Sequence, residues 1–129
     1  MVVDTSALVA ILLLEAEAEV FARAIRDSDE RLMSVASFLE TAIIIDARRG
    51  PQSGRDLDDL VSGFGFEIEP VTLGQARIAR QAYREFGKGN HPAALNFGDC
   101  FAYALAKATG SPLLYKGDDF SKTDIVRAL

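Results

Sequence analysis

Carboxylates stand in this chain at places where a packing residue or a plain turn would be expected. Asp4 follows the apolar opening Met1-Val2-Val3, Glu40 and Asp99 lie inside helical patterns, and Asp118-Asp119 follow the run Pro112 to Tyr115. Glu40 shares a helix face with Ala36, Ile43 and Ile44, so it occupies a position suited to leucine. Asp99 shares a face with Ala102 and Ala106, whose small side chains would let that helix lie close to a sheet. A buried carboxylate without a partner is costly. No lysine or arginine occupies a matching inward position near Glu40 or Asp99, which leaves a shared cation as the remedy. The donor set is all oxygen, and Cys100 reads as a small packing residue. Such a set suits Mg²⁺ or Mn²⁺ and not zinc. Carboxylate-held Mg²⁺ commonly serves phosphoryl chemistry: it polarises the phosphate, activates a water and orients an in-line attack. Each acid also has a simpler role available. Asp4 could cap a helix before Thr5-Ser6, Glu40 could face solvent, Asp99 could favour a helix dipole, and Asp118-Asp119 could form a turn. Their combination in matching topological places is what points to a metal site.

The elements that must position these acids follow from the apolar pattern. Met1 to Val3 reads as a buried strand feeding a helix from Ser6 to about Leu14, and Ala16 to Arg26 as a second helix with Val20, Phe21 and Ile25 at helical spacing. A strand over Arg31 to Val35 precedes a helix capped at Ser34 or Ser37 that ends near Gly50-Pro51. Ser53 to Phe64 is amphipathic, with Leu57, Leu60, Val61 and Phe64 on one face. Phe66 to Val71 alternates as a half-exposed strand would, and Thr72 caps a helix reaching about Phe86. After the glycine-rich loop from Gly87 to Pro92, a helix opens near Asn96 and runs through Thr109. Pro112 to Tyr115 is a short buried strand, and Ile125 to Leu129 offers a last one. Strands alternating with helices imply an α/β fold: a mostly parallel sheet of four to five short strands between two helical layers. Sites in such sheets form at the carboxyl ends of strands, where Asp4 and Asp118-Asp119 fall.

The chain has 129 residues, 49% of them hydrophobic and 26% charged, as expected for one globular domain over residues 1–129. No apolar run is long enough to span a membrane. The run Ala7 to Leu14 lacks a basic flank and ends in acids, so it does not read as a signal peptide. The single cysteine cannot form an internal disulfide, and a cytoplasmic location is expected. The net charge of −5 argues against general nucleic-acid binding, but its distribution is uneven. Five of the basic residues (Arg77, Arg80, Arg84, Lys88, Lys107) and only two acids fall between Val71 and Gly110.

At the acids the chain resembles a known family. Met-Val-Val-Asp-Thr-Ser-Ala-Leu at the start, Ser37-Phe38-Leu39-Glu40, the stretch Asn96-Phe97-Gly98-Asp99 continuing to Ala106, and Leu113 to Phe120 are similar to the motifs of PIN-domain nucleases. The length and the whole set, from residue 1 to about 124, resemble the VapC toxins of bacterial toxin–antitoxin pairs. The resemblance implies a PIN-like three-layer fold, dependence on Mg²⁺ or Mn²⁺, endoribonuclease activity, a homodimer, and inhibition by a VapB antitoxin whose arginine could enter the acid cluster. Asp4, Glu40 and Asp99 match three family acids. Many relatives carry an acid where this chain has Gly117, but the Asp before Phe120 is kept, so Asp119 is expected as the fourth catalytic and metal-binding acid, with Asp118 in reserve. Thr5, Ser6 and Thr123 fall where family members place a hydroxyl near the metal.

An acidic pocket repels phosphate until a cation is bound, so RNA needs other contacts. Arg77, Arg80 and Arg84 fall on one helical face, and Lys88 and His91 follow in the loop; this stripe is expected to hold the RNA backbone. Its plainer reading is a solvated helix face. The first two helices and Leu57 to Phe64 carry apolar surface that could serve a dimer or an antitoxin. A receiver module would want paired acids after the first strand, where this chain has Thr5-Ser6 after Asp4. The same acids would also serve a phosphatase or DNA nuclease with this metal site, and the fold would serve a catalytically silent PIN-like interaction module.

Overall fold

Four short strands pair in parallel, in the order β3-β2-β1-β4, where β1 is Val2–Val3, β2 Leu32–Ser34, β3 Glu67–Glu69 and β4 Leu113–Leu114. The computed structural model describes residues 1–129. Six helices connect and flank the strands: α1 (Thr5–Leu12), α2 (Ala18–Asp27), α3 (Val35–Arg49), α4 (Gly54–Phe64), α5 (Leu73–Phe86) and α6 (Phe97–Thr109). Short 3₁₀ turns lie at Pro51–Ser53 and Phe120–Lys122. The expected last strand is reduced to one bridge, Leu113 with Arg127, where Leu113 N–H donates to the Val126 carbonyl and Ala128 N–H donates to the Leu113 carbonyl.

Successive strand residues point to opposite faces, and this alternation builds two cores. Val2, Leu32 and Leu113 face α5 and α6, meeting Ala82, Ala102, Tyr103 and Leu105. Val3, Met33 and Leu114 face α1, α2 and α4, meeting Leu8, Phe21, Ile25 and Leu57. The sheet is therefore covered on both sides, as its near-continuous apolar strands require. α3 contacts α1 and α6, so it bridges the two layers at the carboxyl edge. No helix is long and apolar enough to cross a membrane.

Three expectations about faces need correction. The apolar stripe of α4 is not surplus: Leu57 is buried, and Leu60, Val61 and Phe64 pack on the second core. The buried stripe of α3 is Ser37, Thr41 and Ile45, while Leu39 and Ile43 are each 59% exposed. In α2 the core residues are Phe21 and Ile25, and Val20 faces outward. Adjacent apolar stripes on one helix are separated by about a quarter turn, so the choice between them belongs to the neighbouring elements.

Candidate functional site: an acidic cluster at the carboxyl edge

Asp4 stands where β1 passes directly into α1. Its N–H donates to the Leu114 carbonyl at 2.9 Å, which fixes it beside the end of β4. Its carboxylate caps α1: Oδ2 accepts from Ser6 N–H at 3.0 Å and from Ser6 Oγ at 2.6 Å. Ser6 Oγ in turn accepts from Lys116 N–H at 3.0 Å, tying the exit of β4 to the first turn of α1. Asp4 is only 3% exposed. Burial pushes its carboxyl up to about 6, against the opposing pull of the Ser6 bonds, and the charge of Glu40 pushes the same way.

Asp99 lies in the first turn of α6 and completes a capping box. Asn96 N–H donates to Asp99 Oδ2 at 3.0 Å, and Asp99 N–H donates to Asn96 Oδ1 at 2.9 Å. Ala102 and Ala106 behind it are buried against the sheet, as their size predicts. Burial pushes the Asp99 carboxyl up to about 7, and the charges of Asp4, Asp119 and Glu40 add to the rise. Asp118 contributes nothing comparable, so Asp119 is the member of the pair that faces the cluster. The preceding Gly117 has φ +90°, a conformation that would strain any side chain, and it turns the chain between β4 and Asp119.

Glu40 reaches the cluster from α3, and the reason it can is Gly98. A Cβ on Gly98 would overlap Glu40 Oε2 and lie 2.8 Å from its Cδ. The bare α-carbon thus forms the seat of the Glu40 carboxylate, one residue before Asp99. Sequence reasoning missed this role. Its signal was a glycine in the first turn of a helix, where alanine would be better unless something approaches closely.

The four acids come from four separate segments and lie within electrostatic reach of one another. They do not form a closed cage: no three acids, histidines or cysteines stand close enough to enclose an ion by themselves. Mg²⁺ keeps several waters and takes one or two carboxylates directly, so the donor set fits that ion without a tighter grouping. The cations nearby do not neutralise the cluster. Lys116 is held by Glu15 and, at 3.1 Å, by Glu17. The other anticipated hydroxyls are engaged elsewhere: Thr5 Oγ1 donates to the Ser37 carbonyl and Thr123 Oγ1 to the Phe120 carbonyl.

The basic stripe does not keep a single face. Arg80 and Arg84 line a groove between α5 and the start of α6, whereas Arg77 lines a different depression with Glu85, Lys107 and Asp124. Residues spaced i and i+7 on a helix drift apart by about 20°, and the packing of α6 falls between the two depressions. Lys88 is exposed in the loop. His91 is part of the loop's own structure: its Nδ1 accepts from Ala93 N–H at 3.0 Å, and its ring meets Phe86 edge to face at 5.2 Å.

The PIN domain family model matches residues 1–126. Ribonuclease VapC28 of Mycobacterium tuberculosis is 52% identical over 130 residues, covering 100% of this chain and 98% of the relative. Ribonuclease VapC of Mycolicibacterium smegmatis is 53% identical over 125 residues, covering 97% of each. The crystal structure of Mycobacterium tuberculosis VapC20, described as a sarcin–ricin loop cleaving toxin, superposes with a TM-score of 0.79 at 19% identity, covering 97% of this chain and 95% of that one. At that identity the superposition speaks for the fold.

Proposed function

This chain belongs to the PIN-domain family, alongside its VapC ribonucleases, and on that premise we propose that it is a Mg²⁺-dependent endoribonuclease and the toxin of a toxin–antitoxin pair. The observation that carries the reading is the charge concentration at the sheet edge. Asp99 is pushed up to about 7 by burial and by three other carboxylates that no lysine or arginine offsets. A fold gains no stability from such a cluster; a bound divalent cation gives it a purpose.

Bound there, Mg²⁺ or Mn²⁺ supplies Lewis-acid polarisation of an RNA phosphodiester and a nucleophile at neutral pH. The chain's own residues set the frame. Asp4 and Asp99 are the direct ligands, because Ser6 and Asn96 hold their carboxylates in place. Glu40 and Asp119 complete the shell directly or through waters. Arg80, Arg84, Lys88 and His91 take the RNA backbone outside the cluster. A VapB-like antitoxin is the inhibiting partner, and the working unit is a homodimer.

The test is incubation of the purified protein with RNA, DNA and a phosphate monoester, each with Mg²⁺ and with chelator. RNA is cut internally only in the presence of the ion, and Asp4→Asn abolishes the cut while circular dichroism stays unchanged. Cleavage of DNA or the ester in preference to RNA, or an Asp4→Asn variant that cuts at the parent rate, would overturn the reading.

A further inference from the structure

Two grooves flank an aromatic ridge beside the acids. Phe97 and Phe101, one turn apart on α6, form the ridge; their rings meet edge to face with centroids 4.9 Å apart. Phe97 is 78% exposed, far more than a packing role needs, and directly precedes the Gly98 on which Glu40 rests. The groove on the α3 side, about 500 Å³, is walled by Leu39, Ile43 and Ile44 and carries no cation. The groove on the α5 side, about 450 Å³, adds Tyr83 to the two phenylalanines and is bordered by Arg80 and Arg84. Neither arginine is committed to a carboxylate or a carbonyl, in contrast to Arg23, which pairs with Glu19, and Arg31, which donates to three carbonyls.

Aromatic faces interleaved with free guanidiniums are what an unpaired nucleotide requires. Stacking on an aromatic ring accepts any base, and the cations take the backbone. Duplex RNA keeps its bases stacked on one another and offers none to such a ridge. We propose that the α5–α6 groove is a single-strand subsite, in which a base next to the scissile phosphate stacks on Phe97, with Tyr83 and Phe101 as flanking walls, while Arg80 and Arg84 hold the adjoining phosphate. This rests on the ribonuclease reading and adds to it the substrate class: unpaired RNA. Charge selects the occupant, because the groove with the arginines suits a polyanion and the purely apolar groove does not.

Binding in chelator, where no cleavage occurs, tests the subsite. The probes are a fluorescent single-stranded RNA oligonucleotide and a duplex RNA of equal length, read by anisotropy across a salt series, with sedimentation of each variant. Phe97→Ala weakens single-strand binding by about tenfold with an unchanged salt slope, and Phe97→Trp restores it. Duplex binding is not altered by Phe97→Ala. The double variant Arg80→Ala/Arg84→Ala lowers the salt slope by about one for each phosphate left without its arginine. The proposal is overturned if Phe97→Ala binds the single strand as the parent does, or weakens both probes equally. It is also overturned if Phe97→Ala changes the sedimenting species from dimer to monomer, since the ridge is then an interface between copies. If the parent cuts RNA with Mg²⁺ while either result holds, the subsite alone has failed; if the parent cuts no RNA, the functional reading has failed with it.

Discussion

Helix α6 meets aspartates at both ends and treats them oppositely. Near its start, Asp99 is crowded by Asp4, Glu40 and Asp119, and its carboxyl is pushed up to about 7. Farther along, Tyr103 and Lys107 face Asp124. Tyr103 Oη donates to Asp124 Oδ1 at 2.5 Å and Lys107 Nζ to Oδ2 at 2.9 Å, and these bonds hold the Asp124 carboxyl below its ordinary value. One end is how a fold secures its C-terminal segment: an acid with a hydroxyl and a cation. The other is how a fold prepares for something it does not itself contain. Burial of charge is tolerated at the first end because partners are supplied, and at the second because a ligand can supply them.

Neutralising each acid in turn separates the two ends most directly. Asp99→Asn keeps an oxygen for the Asn96 cap but loses a metal-binding charge. Cleavage should fall by more than about a hundredfold, beyond the cost of typical outer-shell changes. Asp124→Asn should leave cleavage within about twofold and lower thermal stability instead, since a hydrogen bond to a charged group is weakened. Equal losses of activity in the two variants would erase the distinction between the two ends.

A second, smaller effect sharpens the boundary of the site. Gly98→Ala places a methyl group where Glu40 now rests, and the long Glu40 side chain can swing away. The expected result is about a tenfold loss of cleavage with little change in melting temperature. Gly63→Ala is the control, because a Cβ there meets nothing within 4 Å. It should stabilise α4 by about 0.5–1 kcal/mol and leave cleavage alone. A Gly98→Ala variant with full activity would remove Glu40's position from the mechanism.

The smallest effect is a pH dependence of stability in chelator. A carboxyl whose pKa is higher in the folded chain holds its proton more tightly there, so folding is favoured as pH falls. Asp99 contributes this gain between about 7 and its ordinary 3.8, and Asp4 between about 6 and 3.8. Asp124, lowered in the folded chain, behaves oppositely: its stabilisation is present above its ordinary value and is lost on acidification. Asp99→Asn should therefore melt higher than the parent at pH 7.5 and level with it near pH 4, read by thermal denaturation. Added Mg²⁺ should raise the parent's melting temperature at pH 7.5 and not near pH 4. A variant difference that does not change with pH would show that burial and neighbouring charge do not act on Asp99.

Much of this was legible in the residue order because it is local. The alternation of short apolar runs with helical periods specified a parallel, two-sided sheet, and strand ends followed by Asp-Thr-Ser or Lys-Gly-Asp-Asp located two of the acidic segments at one edge. Capping chemistry fixed the starts of α1, α3, α5 and α6 at Asp4, Ser34, Thr72 and Asn96. Asp4 and Asp99 turned out to be caps and cluster members at once, so the plain reading and the chemical one were both true of the same atoms.

Packing between elements decided the rest. Which stripe of α3 is buried, which of Asp118 and Asp119 faces Asp99, and where Arg77 parts from Arg80 and Arg84 all depend on the rotation of one element against another. The role of Gly98 is invisible until α3 and α6 touch, and the exposure of Phe97 until its neighbours are in place. A sequence sets the period of a helix through bonds four residues apart. The phase of that helix is set by contacts with residues far away in the chain, and it is phase that turns four scattered acids into one cluster.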